Sequence, residues 1–238
     1  MAIYAIGDMH LAFNDNKPMD IFGENWYKHF EKIKSNWLKK ICEDDIVLLP
    51  GDFSWSITLE GTKKDFEFLN SLPGKKILIN GNHDYWWTSM KKMQEFTCKN
   101  NIKNIYFLKN NAVKIDEIIV VGTRGWSYID TENAAKMHNR ELIRLENSIK
   151  YAYENFENIT SKNIICMMHY PPITKNMIEN NIKSEYLELL NKYNINQCIY
   201  AHLHGKAHNE AVEGNIEGIN LKLVSSDFLN FDPYLIKR

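Results

Sequence analysis

The sequence predicts an α/β fold, and three observations carry the prediction. Short apolar runs rich in Ile, Val and Leu recur along the chain, and most are followed by loops bearing Gly, Asp or His. Longer amphipathic stretches separate them, the pattern of alternating strands and helices. The composition, 44% hydrophobic and 25% charged over 238 residues, suits one sizeable globular core.

The elements follow in order. Ile3–Ile6 is the first buried-strand run, and Trp26–Ile41 the first amphipathic helix. Strand Ile46–Leu49 and helix Thr62–Ser71 come next, the helix stopped by Pro73-Gly74. Strand Lys76–Ile79 precedes helix Met90–Asn100. Val113–Ile115 and Ile118–Val121 form a hairpin about Asp116-Glu117, and Glu132–Phe156 is a long helix. Strand Ile164–Met168, helix Ser184–Tyr193 and strand Cys198–Tyr200 follow. Ala211–Val224 reads as two strands about Gly214-Asn215. With no repeat, low-complexity tract or Pro/Gly linker, residues 1–238 are expected to form a single domain.

Composition also excludes. A formal net charge of −1 argues against broad binding to duplex nucleic acid or to an anionic membrane, though a local basic pocket stays open. No apolar run approaches the ~20 residues that span a bilayer. The opening MAIYAIGDMH meets Asp8 and His10 too early for a secretory signal, so a cytoplasmic location is expected. Cys42, Cys98, Cys166 and Cys198 form no CxxC pair, and the last two lie in apolar runs, as buried reduced thiols do.

In open α/β sheets, ligands gather beyond the carboxyl ends of strands. Five strand ends here deliver Asp, Asn or His: Gly7-Asp8-Met9-His10, Gly51-Asp52, Gly81-Asn82-His83-Asp84, His169, and Ala201-His202-Leu203-His204. Carboxylate, carboxamide and imidazole together suit manganese, iron or zinc, and the absence of Cys argues against a closed structural zinc site. Asp8, His10, Asp52, Asn82, His169, His202 and His204 are too many ligands for one ion. Two ions sharing an Asp fit the count and would suit displacement at phosphorus. A single Asp-x-His or His-x-His would mean little, but five of the eight histidines fall in these loops. His29 and His138 read instead as solvated helix positions, and His208 is set aside.

In order along residues 7–205, GDMH, GDFSW, GNHD, MMHYPP and AHLHG resemble the five blocks of the calcineurin-like metallophosphoesterase superfamily, within it the small stand-alone bacterial phosphohydrolases. One position departs: Ala201 stands where the family usually has Gly. The resemblance implies a four-layer α-β-β-α sandwich and a metal-dependent phosphohydrolase, acting on an ester or anhydride through a metal-bridging hydroxide. It implies two divalent or mixed-valence ions (Mn, Fe or Zn), one held by Asp8, His10, Asp52 and His204 and the other by Asp52, Asn82, His169 and His202. His83 would face the substrate as acid or transition-state stabiliser, with Asp84 orienting it. An imidazolium beside a carboxylate suits that task.

Trp55, Tyr85, Trp86, Trp87, Trp126 and Tyr170 crowd the motif loops, either as a stacking wall for a planar leaving group or as packing beneath the loops. Arg124, between Gly122 and Gly125 after another strand, is either a fork for phosphate oxygens or a surface Arg paired with an acid. A small-molecule phosphate ester or nucleotide is the expected substrate. The alternative is a non-catalytic metal-binding scaffold on the same fold.

Overall fold

Every apolar run named above forms a strand, and all five amphipathic stretches form helices, in the computed structural model, which describes residues 1–15, 17–128 and 132–238. The elements in chain order are β1 (Ile3–Ala5), α1 (His29–Lys40), β2 (Ile46–Pro50), α2 (Lys63–Asn70), β3 (Lys75–Ile79) and α3 (Met90–Lys99). Then come β4 (Ile105–Phe107), β5 (Val113–Ile115), β6 (Ile118–Thr123), α4 (Glu132–Asn155), β7 (Ile164–Met168) and α5 (Lys175–Glu179). The last are α6 (Glu185–Lys192), β8 (Gln197–Tyr200), β9 (Gly214–Ile216), β10 (Ile219–Leu223) and β11 (Tyr234–Lys237).

The chain divides into two compact units, residues 1–107 with 224–238, and residues 108–223. In the first, the sheet order is β11-β1-β2-β3-β4. Neighbours from β1 to β4 are parallel, and β11 closes one edge antiparallel to β1. In the second, the order is β5-β6-β7-β8-β10-β9. Here β6, β7, β8 and β10 are parallel, with β5 and β9 antiparallel at the two edges. The fold is thus α/β with two mixed sheets flanked by helices, of the metallophosphoesterase type. β2, β6 and β7 are buried at every residue, as parallel strands covered on both faces must be.

Local chemistry sets the helix limits. Ser89, Thr174 and Ser184 cap α3, α5 and α6, each accepting a backbone N–H three residues on. In α1, His29, Ile33 and Trp37 form the buried stripe at four-residue spacing.

Some expectations are corrected. The last hairpin turns at Glu217-Gly218, where both residues have positive φ (52° and 87°), and Ile216 pairs with Ile219 across it. That is the backbone of a tight two-residue hairpin, so Gly214-Asn215 lies within β9. Neither His29 nor His138 is solvated. His29 sits edge-on to Trp26 at 5.4 Å, and burial lowers its pKa. His138 is buried beside Tyr186, with Nε2 2.8 Å from a Glu185 carboxylate oxygen. Cys166 and Cys198 are buried free thiols, as expected. No helix among the described residues is long and apolar enough to cross a membrane.

Candidate metal centre

In the first unit the strand-end loops are laced together by backbone hydrogen bonds. The amides of Asp8, His10 and Leu11 donate to the carbonyls of Gly51, Asp52 and Phe53, at 3.0, 2.9 and 2.9 Å. The returning chain pins the same loop: Gly7 donates to the Val224 carbonyl at 2.7 Å, and the Ser226 amide and hydroxyl both donate to the Gly7 carbonyl. The third loop joins through a side chain, the His83 amide donating to Asp52 Oδ1 at 2.8 Å. Gly81 permits that approach, because a Cβ there would lie 2.0 Å from the same oxygen.

The result is a buried acidic cluster. Asp8 and Asp52 are 0% and 1% exposed and offer oxygens within 4.8 Å of one another; Asp8 and His10 also come within 4.8 Å. Two carboxylates so close in a dry site repel, and a divalent cation relieves that repulsion. Asp8, His10 and Asp52 all hold positive φ, at 53°, 45° and 50°. Left-handed backbone at three non-glycine residues is strain of the kind found at functional sites.

His83 is half-buried, its ring 4.4 Å from Trp55, which also stacks on His10 at 4.8 Å and 21°. Asp84 is buried and accepts hydrogen bonds from the amides of Phe53, Ser54 and Gly81 and from Trp86 Nε1. Through those bonds it ties the GNHD loop to the GDF loop. Burial foremost, and then Asp52, raise its pKa to about 7.

The second unit laces its loops in the same way. The amides of His169 and Tyr170 donate to the Arg124 carbonyl at 3.1 and 2.8 Å, and the Ala201 amide to the His169 carbonyl at 3.0 Å. His169 is fully buried, and its Nε2 lies 3.2 Å from His202 Nδ1. His202 also holds positive φ, 75°, and packs 4.1 Å from Tyr170. His204 is half-buried at the start of a 3₁₀ turn, Gly205–Glu210, which also takes in His208. Ala201 is not among the positive-φ residues, so the glycine usual in the family is not needed there. Arg124 packs over Trp126 at 4.7 Å, with one guanidinium nitrogen 3.9 Å from Glu141.

The aromatic residues split by role. Trp86 is core packing against Phe66, Trp55 lies against the histidines, Tyr85 is 65% exposed, and Trp126 and Tyr170 stand 5.8 Å apart beside Arg124. Glu141 was missed in the sequence. It is 1% exposed in the middle of α4, on the same buried stripe as His138 and Leu145. A charged residue on the buried stripe of an amphipathic helix was the available signal.

Comparison with known proteins identifies the family. Residues 1–206 match the family described as calcineurin-like phosphoesterase, and the chain belongs to that family. Among solved structures it is similar to a protein of unknown function, AQ665, from Aquifex aeolicus, at 16% identity and TM-score 0.51, over 98% of this chain and 95% of that one. It is also similar to phosphopantetheinyl hydrolase from Mycobacterium tuberculosis, at 14% identity and TM-score 0.54, over 94% and 88%. At those identities the likeness speaks for the fold. No curated protein matches the chain. Family and site together define a metal-binding phosphoesterase.

Proposed function

We propose that the two units act as one metallophosphoesterase domain hydrolysing a small phosphate ester, anhydride or nucleotide with two metal ions. The observation that carries this reading is the Asp8–Asp52 pair, two buried carboxylates within 4.8 Å of each other. Asp8, His10, Asp52 and His204 would hold one ion, and Asp52, Asn82, His169 and His202 the other, with Asp52 shared. Oxygen and imidazole donors fit manganese, iron or zinc. Bound there, the ions would supply Lewis acidity toward the phosphoryl oxygens and would activate water.

The remaining roles fall to the chain itself. His83 would meet the phosphoryl oxygen or protonate the leaving oxygen. Asp84 would hold His83 in place through the loop amides it gathers. Away from the metal ligands, Arg124 would fork two oxygens of a substrate phosphate, with Trp126 fixing the guanidinium plane. A cytoplasmic setting belongs to the same reading, in keeping with the free buried thiols Cys166 and Cys198.

The test is turnover of p-nitrophenyl phosphate and bis(p-nitrophenyl) phosphate by chelated protein reloaded with manganese, iron or zinc. Metal-dependent release of nitrophenol is expected, and a panel of monoesters, diesters and nucleotides would then rank substrates. Metal binding with no turnover of any probe would favour the non-catalytic scaffold.

A further inference from the structure

Three arginines of the second unit converge on one buried oxygen. Glu141 Oε1 lies 2.6 Å from Arg144, 3.3 Å from Arg140 and 3.9 Å from Arg124. The other oxygen, Oε2, accepts a 2.6 Å hydrogen bond from the Thr123 hydroxyl, so the carboxylate is fixed from both sides. One carboxylate neutralises one of these three charges. Lys109 adds a fourth cation close enough to Arg144 for the two to repel. In a chain of formal net charge −1, this is a concentrated patch of positive charge.

The patch is open on one side and anchored on the other. Arg140 and Arg144 keep 43% and 39% of their side chains exposed, whereas Arg124 keeps 17%. Arg124 Nε is buried, with no hydrogen-bond partner among the described residues. Three guanidiniums thus crowd about a single carboxylate oxygen. An anion would relieve that crowding, and a forked guanidinium is the donor best shaped for phosphate.

The patch is also tied to the proposed metal ligands of its own unit. Arg124 packs on Trp126, Trp126 lies 5.8 Å from Tyr170, and Tyr170 lies 4.1 Å from His202. A ligand held near His202 and His169 therefore has the arginines at the end of a short aromatic path.

We propose that Arg124, Arg140 and Arg144, gathered by Glu141, form a second anion subsite that binds a phosphate of the substrate other than the one hydrolysed. The substrate class is then a compound with two or more phosphates, such as a nucleoside diphosphate. Glu141 is a positioning residue: it keeps three guanidiniums together without occupying their outward N–H groups. The proposal rests on the phosphoesterase reading above, but its binding arm does not depend on turnover.

Pyrophosphate and orthophosphate would be titrated calorimetrically into the full chain and into the Arg140→Gln/Arg144→Gln variant, with thermal unfolding confirming that the variant folds. Pyrophosphate affinity should fall about tenfold to a hundredfold, the effect expected of losing charged hydrogen bonds, and orthophosphate affinity much less. Arg144→Lys, which keeps the charge and loses the fork, should fall between. In turnover, the KM ratio of ADP to p-nitrophenyl phosphate should rise by a similar factor. Equal pyrophosphate affinity in both proteins would overturn the subsite. Weakened pyrophosphate binding with an unmoved KM ratio would overturn its assignment to the substrate and leave a site for free phosphate. If no phosphate ester is turned over at all, the phosphoesterase reading fails, while the calorimetry still decides whether the subsite exists.

Discussion

The two units place functional side chains by the same device and supply opposite chemistry. In each, residues just beyond the carboxyl ends of parallel strands are held by hydrogen bonds from loop to loop. The first unit presents buried carboxylates, Asp8, Asp52 and Asp84, with backbone amides turned toward two of them. The second presents imidazoles and guanidiniums: His169, His202, Arg124 and the arginines around Glu141. One unit is thus suited to attract cations and the other to attract an anion. A phosphoesterase needs both properties, and the loop geometry needed for each is the same.

The most damaging break should come from the acidic unit. Asp52→Asn keeps the shape and removes the charge of the proposed shared ligand. Hydrolysis should fall by more than the 10²–10⁴-fold typical of a single acid–base group, with metal content reduced at both sites while circular dichroism stays native. Full activity in the metal-replete variant would refute the shared-ligand role.

Next in size is His83→Ala, expected to slow turnover by about 10²–10⁴-fold while leaving metal content unchanged. Loss of one ion on metal analysis would make His83 a ligand and not a substrate-facing group.

A matched pair of glycines sharpens the contrast. A Cβ at Gly81 would meet Asp52 Oδ1 at 2.0 Å, and one at Gly122 would meet the Met167 carbonyl oxygen, also at 2.0 Å. Both alanine variants should lose about 1–3 kcal/mol or more, from overpacking. Gly81→Ala should also shed metal, because the clash falls on a proposed ligand. Gly122→Ala strikes the β6–β7 ladder, so its Tm should drop with metal affinity better preserved. The same metal loss in both would show that the glycines do not separate site from scaffold.

The smallest expected effect is a pH dependence confined to the first unit. Asp65 is buried, accepting from the Phe13 amide and bonded to Ser54, and burial foremost raises its pKa to about 6. The folded state therefore holds this proton where the unfolded chain has already lost it. Stability should fall as pH rises from about 4 to about 6, by at most roughly 3 kcal/mol, and then level off. Asp65→Asn should flatten that part of the curve in a comparison of Tm against pH, and an unchanged slope would remove Asp65 as its source.

The parts legible in the sequence share a physical reason. Strands covered on both faces must be largely apolar, so β2, β6 and β7 announce themselves. The strand-end rule then points at the loops without any knowledge of the chemistry. β4 and β11 were missed although each holds a short apolar run: both are edge strands, only partly buried, and no Gly, Asp or His loop follows to mark them. Glu141 and Asp65 were missed because a carboxylate on an amphipathic helix is ordinary until its neighbours on the stripe prove to be buried. The bonding of Asp84 was beyond the sequence altogether, since its donors come from two loops some 30 residues apart in the chain.

The most direct test is a metal count. The full chain, stripped with a chelator and reloaded with manganese, would be freed of excess ion and analysed alongside His169→Ala. Two ions per chain in the wild type and one in His169→Ala are expected, because a carboxylate-rich ion from the first unit should survive loss of an imidazole from the second. A wild type that holds a single ion, or a His169→Ala protein that keeps two with full activity, would contradict the proposed binuclear centre.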